Sequence, residues 1–353
     1  MFCALMKLLE LRKRIEVTRI KVGFAAKGIT DDMSNNILIL SCGTRDLLVR
    51  YFKRADYERV IGADCSELAP ALYEADKYYL IPRMKEEGYF DAILEICRKE
   101  GITAILPLQE DELNLISENR ELFEQEGIRT IVSPVETLQI CRDKYCFFEH
   151  MTEHGIPVLN SYIDLAKFEK AYEAGKIGFP VFVKPVRGAG SVGVMKVSCM
   201  ELLKALFANS EEPLLIQEFC NGREFGIDVY VDLVSGEVVD IFAKEKLRMR
   251  AGETEKSVTS NDPALKEFVY RAASTLKLSG PVDMDVFEKD GIFYLSEINP
   301  RFGGGFPHAY ACGVDTPSYI LQNLQGIANE SHLQEKREEI YVLKYSDILC
   351  IDR

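Results

Sequence analysis

Residues 295–305 read LSEINPRFGGG, and within that run an acid, an amide and a base take alternate positions: Glu297, Asn299 and Arg301. In an extended strand, alternate side chains share a face. The segment GPVDMDVF upstream carries Asp283 and Asp285 at the same spacing, and EKDG joins the two runs. A three-residue loop, Lys289-Asp290-Gly291 with Gly291 left-handed, is predicted, because it would turn Asp283, Asp285, Glu297 and Asn299 to one face. A two-residue Asp290-Gly291 turn would divide the acids between faces. Carboxylates gathered in this way repel one another unless a cation lies between them. Hard oxygen ligands of this kind, two carboxylates and an amide oxygen, suit Mg2+ or Mn2+, which also take oxygens from substrate phosphates. Pro300 ends the strand, and Arg301 follows where it can meet an anion at the metal's edge. The alternative is a solvated polar strand face, against which the apolar flanks VF and IFYL speak.

A second constellation is GAGSVG, residues 188–193, which has the spacing of the dinucleotide-binding glycine fingerprint. That fingerprint must open a helix, so that phosphate meets the helix N-terminus. Here VMKVS follows, and it reads as a strand. A glycine loop between strands can still turn its N–H groups toward phosphate or act as a flap. Lys184 precedes it, and Lys144 on the preceding helix adds a second cation. A glycine hairpin without a ligand is the bland alternative.

The elements that must hold these residues follow from the apolar pattern. From Asn36 to about Pro134, short apolar runs alternate with amphipathic stretches, which implies a parallel sheet with helices on both faces. In such sheets ligands sit beyond the carboxyl ends of the strands. Ser41 to Arg45, and Gln109 to Glu112, are thereby placed at a cleft edge, with N-terminal capping as the other reading of the acids. Residues 135–213 form a second segment with the glycine loop, and 214–330 a third that is richer in strands. Residues 331–353 look like a closing hairpin or edge strand.

The chain of 353 residues has a net charge of −13, which argues against a nucleic-acid surface. No apolar run reaches the roughly 18 residues of a membrane helix. Ten cysteines without a C-x-x-C pair read as reduced thiols in a cytoplasmic protein. Residues 1–32 do not lead into the strand NILILSC, and Met33 would make a natural beginning, so the first 32 are expected to be an appended extension. His150 and His154 have a spacing able to bind zinc but lack a further ligand, whereas His308 is placed to touch a substrate.

Five motifs in order resemble the ATP-grasp superfamily: RDK around Lys144, FVKP around Lys184, RGAGSVGV, the hinge LLIQEFCNGREFGIDV, and SEINPR. Over residues 36–325 the chain looks most like one ATP-binding half of the carbamoyl phosphate synthase large subunit. The resemblance implies an α/β fold: a pre-ATP-grasp, Rossmann-like parallel-sheet domain (33–134), then a two-lobed α+β ATP-grasp module with a small lobe and flap (135–213) and a large lobe (214–330). It implies ATP and Mg2+ (or Mn2+) as cofactors. Adenine would lie against Glu218, Phe219 and Cys220, with Glu224 on the ribose. Lys144, Lys184 and the flap residues Gly188, Gly190, Ser191 and Gly193 would hold phosphates, and Asp285, Glu297 and Asn299 the metal. Arg301 would orient the acid, and Arg250 falls near a nucleotide- or acceptor-contacting position, while Lys246 and Arg248 read as surface charges.

The chemistry so implied activates a carboxylate as an acyl phosphate and joins it to an amine, releasing ADP and phosphate. The partners are then small-molecule acids and amines, with neither nucleic acid nor membrane, and a homodimer is compatible. The synthase has a second arginine three residues after NPR; here that place is Gly304, which is expected to leave room for an acid larger than bicarbonate. Phosphorylation of bicarbonate or carbamate, a silent nucleotide-binding protein and a nicotinamide oxidoreductase using GAGSVG are the alternatives.

Overall fold

Asn36–Leu40 (β1), the run NILIL, is buried at every position, as a strand covered on both faces must be. The structure, a computed structural model, describes residues 35–188, 193–250, 252–333 and 339–351. The expectation for residues 1–32, and those for Gly190 and Ser191, lie outside the described residues. After β1 come helix Asp46–Arg54 (α1), strand Arg59–Asp64 (β2), a short 3-10 turn and strand Lys77–Leu80 (β3). Helix Tyr89–Glu100 (α2), strand Ala104–Pro107 (β4), helices Glu110–Glu118 (α3) and Arg120–Gln125 (α4), and strand Arg129–Thr130 (β5) follow. The strands pair in parallel in the order β3-β2-β1-β4-β5. Strand order reverses between β1 and β4, and the crevice outside their carboxyl ends is where such sheets bind ligands.

Helices Val135–Arg142 (α5) and Lys144–Glu153 (α6) come next, and the Asp143 carboxylate caps α6 by accepting from the N–H groups of Tyr145 and Cys146. Strand Ser161–Tyr162 (β6), helix Leu165–Glu173 (α7), strands Val181–Pro185 (β7) and Met195–Val197 (β8), helix Met200–Asn209 (α8) and strand Leu214–Glu218 (β9) form an antiparallel layer in the order β6-β9-β7-β8. A strand, not a helix, follows Gly193, so the glycine run is not a dinucleotide fingerprint.

The third sheet contains Arg223–Val231 (β10), Val238–Arg250 (β11), Glu253–Ser260 (β12), Gly280–Lys289 (β13), Ile292–Asn299 (β14) and Tyr341–Leu343 (β15). Its order is β14-β13-β10-β11-β12-β15, antiparallel throughout. Helix Pro263–Ala273 (α9) lies between β12 and β13 in sequence, and Phe306–Ala311 (α10) and Thr316–Leu324 (α11) follow β14.

The hairpin of β13 and β14 corrects the expected turn. Lys289 pairs with Ile292, so the loop is the two-residue Asp290-Gly291 turn, with φ of 55° and 77° as an inward-twisting hairpin turn requires. The acids nevertheless share a face, because the register shifts between Asp285 and Val286: Val286 pairs with Leu295, but Asp285 with Glu297 and Asp283 with Asn299. Ser296 is the extra residue of a β-bulge, and that single insertion does what the longer loop was expected to do.

The strands leave little slack around this hairpin. A Cβ at Gly222, just before β10, would sit 1.9 Å from the Glu288 carbonyl oxygen. Backbone cannot yield as a flexible side-chain tip can, so Gly222→Ala is expected to destabilise the fold by about 1–3 kcal/mol, read as a lower urea midpoint with an unchanged slope.

Candidate active site

The three sheets converge on one cavity of about 510 Å3, within the range of small-molecule sites. Asp283, Asp285, Glu297 and Asn299 line one wall, and Lys144, Lys184, Glu218, Cys220 and Glu224 line the others. Arg45, Leu108, Gln109 and Glu110 reach in from the strand-order reversal between β1 and β4.

Burial and the nearby carboxylates of Asp283 and Glu297 push the Asp285 carboxyl up to about 7, against the opposing pull of the Lys246 ammonium. Burial acts on Glu297 in the same sense, but there the Lys184 ammonium, the Asn299 amide and the Lys144 and Lys246 charges prevail and hold it below the usual carboxylate range. Asn299 Nδ2 donates to Glu297 Oε1 at 3.2 Å and to Asp283 Oδ2 at 3.5 Å. No group of three or more His, Cys, Asp and Glu side chains forms a ready metal cage among the described residues. The set fits magnesium all the same, since that ion is typically held by one or two carboxylates and completes its shell with water and phosphate. The Asn299 amide would have to turn its oxygen toward such an ion.

Opposite stand the cations. Lys184 Nζ donates to Gln217 Oε1 at 2.9 Å, and Lys144 Nζ to the Gly188 carbonyl at 2.6 Å. Burial lowers the affinity of both ammonium groups for their protons, while the Glu297 charge works against it. Among the described residues, neither makes an ion pair within 4.0 Å. At the hinge, the Glu218 N–H donates to the Asn160 carbonyl at 2.8 Å, and Asn160 Nδ2 to Glu218 Oε2 at 2.7 Å. Phe219 does not line the cavity; it packs on Phe182, with Lys196 Nζ 3.9 Å from its ring centre.

Arg301 and Arg45 form the far end. Arg301 Nη1 lies 3.7 Å from Asp283 Oδ2 and donates to the Phe302 carbonyl at 3.1 Å. Arg45 Nη1, 257 positions away in sequence, donates to that same carbonyl at 2.8 Å. Two guanidinium groups thus meet at one oxygen, with Asp283 beside Arg301, and guanidinium groups can bond a carboxylate in bidentate fashion. Gly304 and Gly305 line the cavity, where room was expected, while side chains of the protein lie close to all three glycines. A Cβ at Gly303 would meet Asp283 Oδ1 at 2.2 Å, one at Gly304 the Glu253 carboxyl carbon at 3.2 Å, and one at Gly305 Lys244 Cε at 2.5 Å.

Several expectations are corrected. Arg250 ends β11 with its side chain 72% exposed, weakly paired to Glu255, and does not line the cavity. His308 is 1% exposed and held between the Ser257 and Thr259 hydroxyls, so it cannot touch a substrate. Lys246 is no surface charge: its side chain is 6% exposed, whereas Arg248 is indeed exposed. Part of the signal was present in AKEKLRMR, where strand alternation carries Lys244 and Lys246 on one face, inward; a register shift after Lys246 separates Arg248 from them. Of the polar residues after β4, Gln109 and Glu110 line the cleft, but Asp111 pairs with Arg142 and Glu112 is buried against Ser41 and Tyr89. His150 and His154 stack on each other, with His150 bonded to the Thr275 carbonyl. Among the described residues the cysteines are free, and no helix is long and apolar enough to cross a membrane.

Burial, helped by the Lys244 charge, pushes the His308 imidazole down to about 4. Between pH 6.5 and 4 the unfolded chain therefore binds a proton that the native state refuses. The His308 contribution to stability is expected to fall as pH drops through that window, while Asp285, whose raised carboxyl takes up a proton in the native state over the same range, acts in the opposite sense. Urea midpoints of the native protein and of His308→Gln at pH 5 and 7 isolate it: the native protein should lose more stability relative to the variant at pH 5 than at pH 7.

Two family models match the chain: PylC-like, N-terminal domain, over residues 37–131, and ATP-grasp in the biosynthetic pathway with Ter operon, over residues 210–348. The arginine-specific large chain of carbamoyl phosphate synthase from Bacillus subtilis (strain 168) is 27% identical over 194 residues, which are 51% of this chain and 18% of that protein. The D-alanine–D-alanine ligase of Geobacillus thermodenitrificans (strain NG80-2) is 29% identical over 211 residues, 52% of this chain and 58% of that one. The chain thus spans less than two thirds of either relative. A solved structure, the biotin carboxylase domain of Hydrogenobacter thermophilus 2-oxoglutarate carboxylase with MgADP, ADP and bicarbonate, matches with a TM-score of 0.70 at 20% identity, covering 88% of this chain and 74% of that one. At this identity the likeness shows the fold, a parallel-sheet domain followed by the antiparallel sheets of an ATP-grasp module.

Proposed function

We propose, for a chain that is an ATP-grasp protein in sequence and in fold, an ATP- and magnesium-dependent ligase reaction that joins a carboxylate to an amine. The observation that carries this reading is the direct pairing of Asp285 and Glu297 on adjacent strands, in one cavity with Lys144, Lys184 and the two guanidinium groups. A silent nucleotide-binding protein would have no use for the arginine corner beyond the carboxylates.

In this reaction an oxygen of the substrate carboxylate attacks the γ-phosphorus of ATP, the bond to the ADP oxygen breaks, and an acyl phosphate forms. An amine then attacks the acyl carbon, the carbon–oxygen bond to phosphate breaks, and the nitrogen gives up a proton. Lys144 and Lys184 hold phosphate oxygens. The backbone from Glu218 to Cys220 meets the adenine edge, and Glu224 the ribose hydroxyls. Magnesium held by Asp285, Glu297 and the Asn299 oxygen would offset charge on the terminal phosphates. Arg301 and Arg45 orient the acid, so that its oxygen enters in line.

Arg45 bears on the choice of acid. It supplies a second guanidinium beside Arg301 although Gly304 has no side chain to offer, and bicarbonate therefore belongs among the acids to be tried. Mg-dependent ADP formation, measured across a panel of acids and amines with product mass as the second readout, tests the proposal. ATP binding without acid-stimulated ADP formation would refute it.

Glu297→Gln removes one ligand charge at almost constant volume. Turnover should fall about 100-fold or more while the melting temperature stays close to native; near-normal ADP formation would remove the metal role. Arg45→Gln should raise the KM for the acid about tenfold, in keeping with the loss of a charge-assisted bond, and leave ATP affinity unchanged. Equal losses for acid and nucleotide would instead mark Arg45 as structural.

A further inference from the structure

Lys246 binds two groups that the ligase reading assigns to different ligands. Its Nζ donates to Glu224 Oε1 at 2.8 Å and to Asp285 Oδ1 at 2.5 Å. Glu224 is the ribose acceptor of that reading and Asp285 a metal ligand. The lysine starts on β11, and Asp285 stands on β13, with β10 between them. It can cross only because the residue of β10 paired with Asp285 is Gly226, where a Cβ would lie 3.1 Å from Lys246 Cε. A side chain 6% exposed, laid over a glycine and bonded at its tip to two carboxylates, is a built arrangement, not a stray surface contact.

Resting on the ligase reading, we propose that Lys246 is a place-holding cation: its ammonium occupies the Asp285 oxygen that the metal will take, and arrival of metal together with nucleotide displaces it. An ammonium and a divalent ion cannot share one carboxylate oxygen in a buried site without strong repulsion. Metal alone must therefore expel Lys246 with no anion ready to receive it. Metal with nucleotide brings phosphate oxygens to which the released ammonium can turn, and ribose hydroxyls that can bond Glu224 in its place. Lys246 thereby makes metal and nucleotide binding mutually dependent beyond the coupling that direct phosphate ligation supplies. It acts as a positioning residue, through Asp285.

The test uses Mn2+ as the probe, by electron paramagnetic resonance titration of the full chain with and without ADP. In native protein, Mn2+ alone should bind at least tenfold more weakly than Mn2+ in the presence of saturating ADP. Lys246→Met should bind Mn2+ alone about tenfold more tightly than native protein does, and the gain from ADP should shrink by the same factor. Melting curves give a second readout. The variant leaves Asp285 without its counter-ion and should melt lower than native, and Mn2+ should restore most of the loss. If Lys246→Met folds only when Mn2+ is present, the proposal stands. Variant affinity for Mn2+ no tighter than native, or a melting loss that Mn2+ does not repair, would overturn it and leave Lys246 a fixed structural ion pair. Failure of the native protein to bind Mn2+ with ADP would instead count against the ligase reading itself, so the two failures are distinct.

Discussion

The structure turns on a problem of charge. Three carboxylates, those of Asp283, Asp285 and Glu297, are brought within reach of one another by strand pairing, in a cavity where water screens them poorly. Each must be answered by a cation or by a hydrogen bond, and the answers come from different parts of the chain. Lys246 arrives from β11, Lys184 from β7, Lys144 from the start of α6, and Arg301 from the end of β14 itself. The sheets are arranged so that these side chains meet the hairpin.

Packing fixes the far end of that arrangement. Phe52 of α1 meets Phe302 edge-on at 5.9 Å, Tyr51 stacks on Tyr310 at 3.7 Å, and Tyr57 donates to the Pro317 carbonyl. The first helix of the parallel sheet is thereby joined to the segment that follows SEINPR, in a single apolar cluster. Aromatic pairs of this kind contribute about 0.5–1.5 kcal/mol each beyond their burial, and they hold the loop after β1 where Arg45 can reach the Phe302 carbonyl. The three glycines belong to the same design: a side chain at Gly303 or Gly305 would force Asp283 or Lys244 to move, and one at Gly304 would crowd Glu253.

The sequence shows most clearly what rests on local periodicity. Alternation puts Asp283 with Asp285 in GPVDMDVF and Glu297 with Asn299 in LSEINPR, though not the two pairs on one face, and the strand-forming VMKVS is enough to reject the dinucleotide reading. The turn failed because face and register are set jointly by loop and bulge; a bulge at Ser296 leaves no mark in residue type that a single sequence reveals. Arg45 and Lys246 were harder for another reason. The role of each depends on a partner far away in the chain, the Phe302 carbonyl in one case and Gly226 with Asp285 in the other. His308 misled because it follows the glycines, whereas the helix Phe306–Ala311 rotates it inward to Ser257 and Thr259.

One consequence concerns the order in which such a site can fill. With Lys246 on Asp285 and Glu224, Asn299 on Glu297, and Arg301 near Asp283, the carboxylates already have partners of their own. A bare divalent cation would add charge to a wall that is largely compensated. A bare polyphosphate would meet Lys144, Lys184 and Arg45, which hold carbonyl oxygens and not carboxylates among the described residues, and would be repelled by the wall opposite. Metal and polyphosphate together bring charges that offset one another, and each loosens the internal contact that opposes the other. The electrostatics of this cavity thus favour a ligand that carries its own counter-ion, and that preference follows from side chains the protein has already paired.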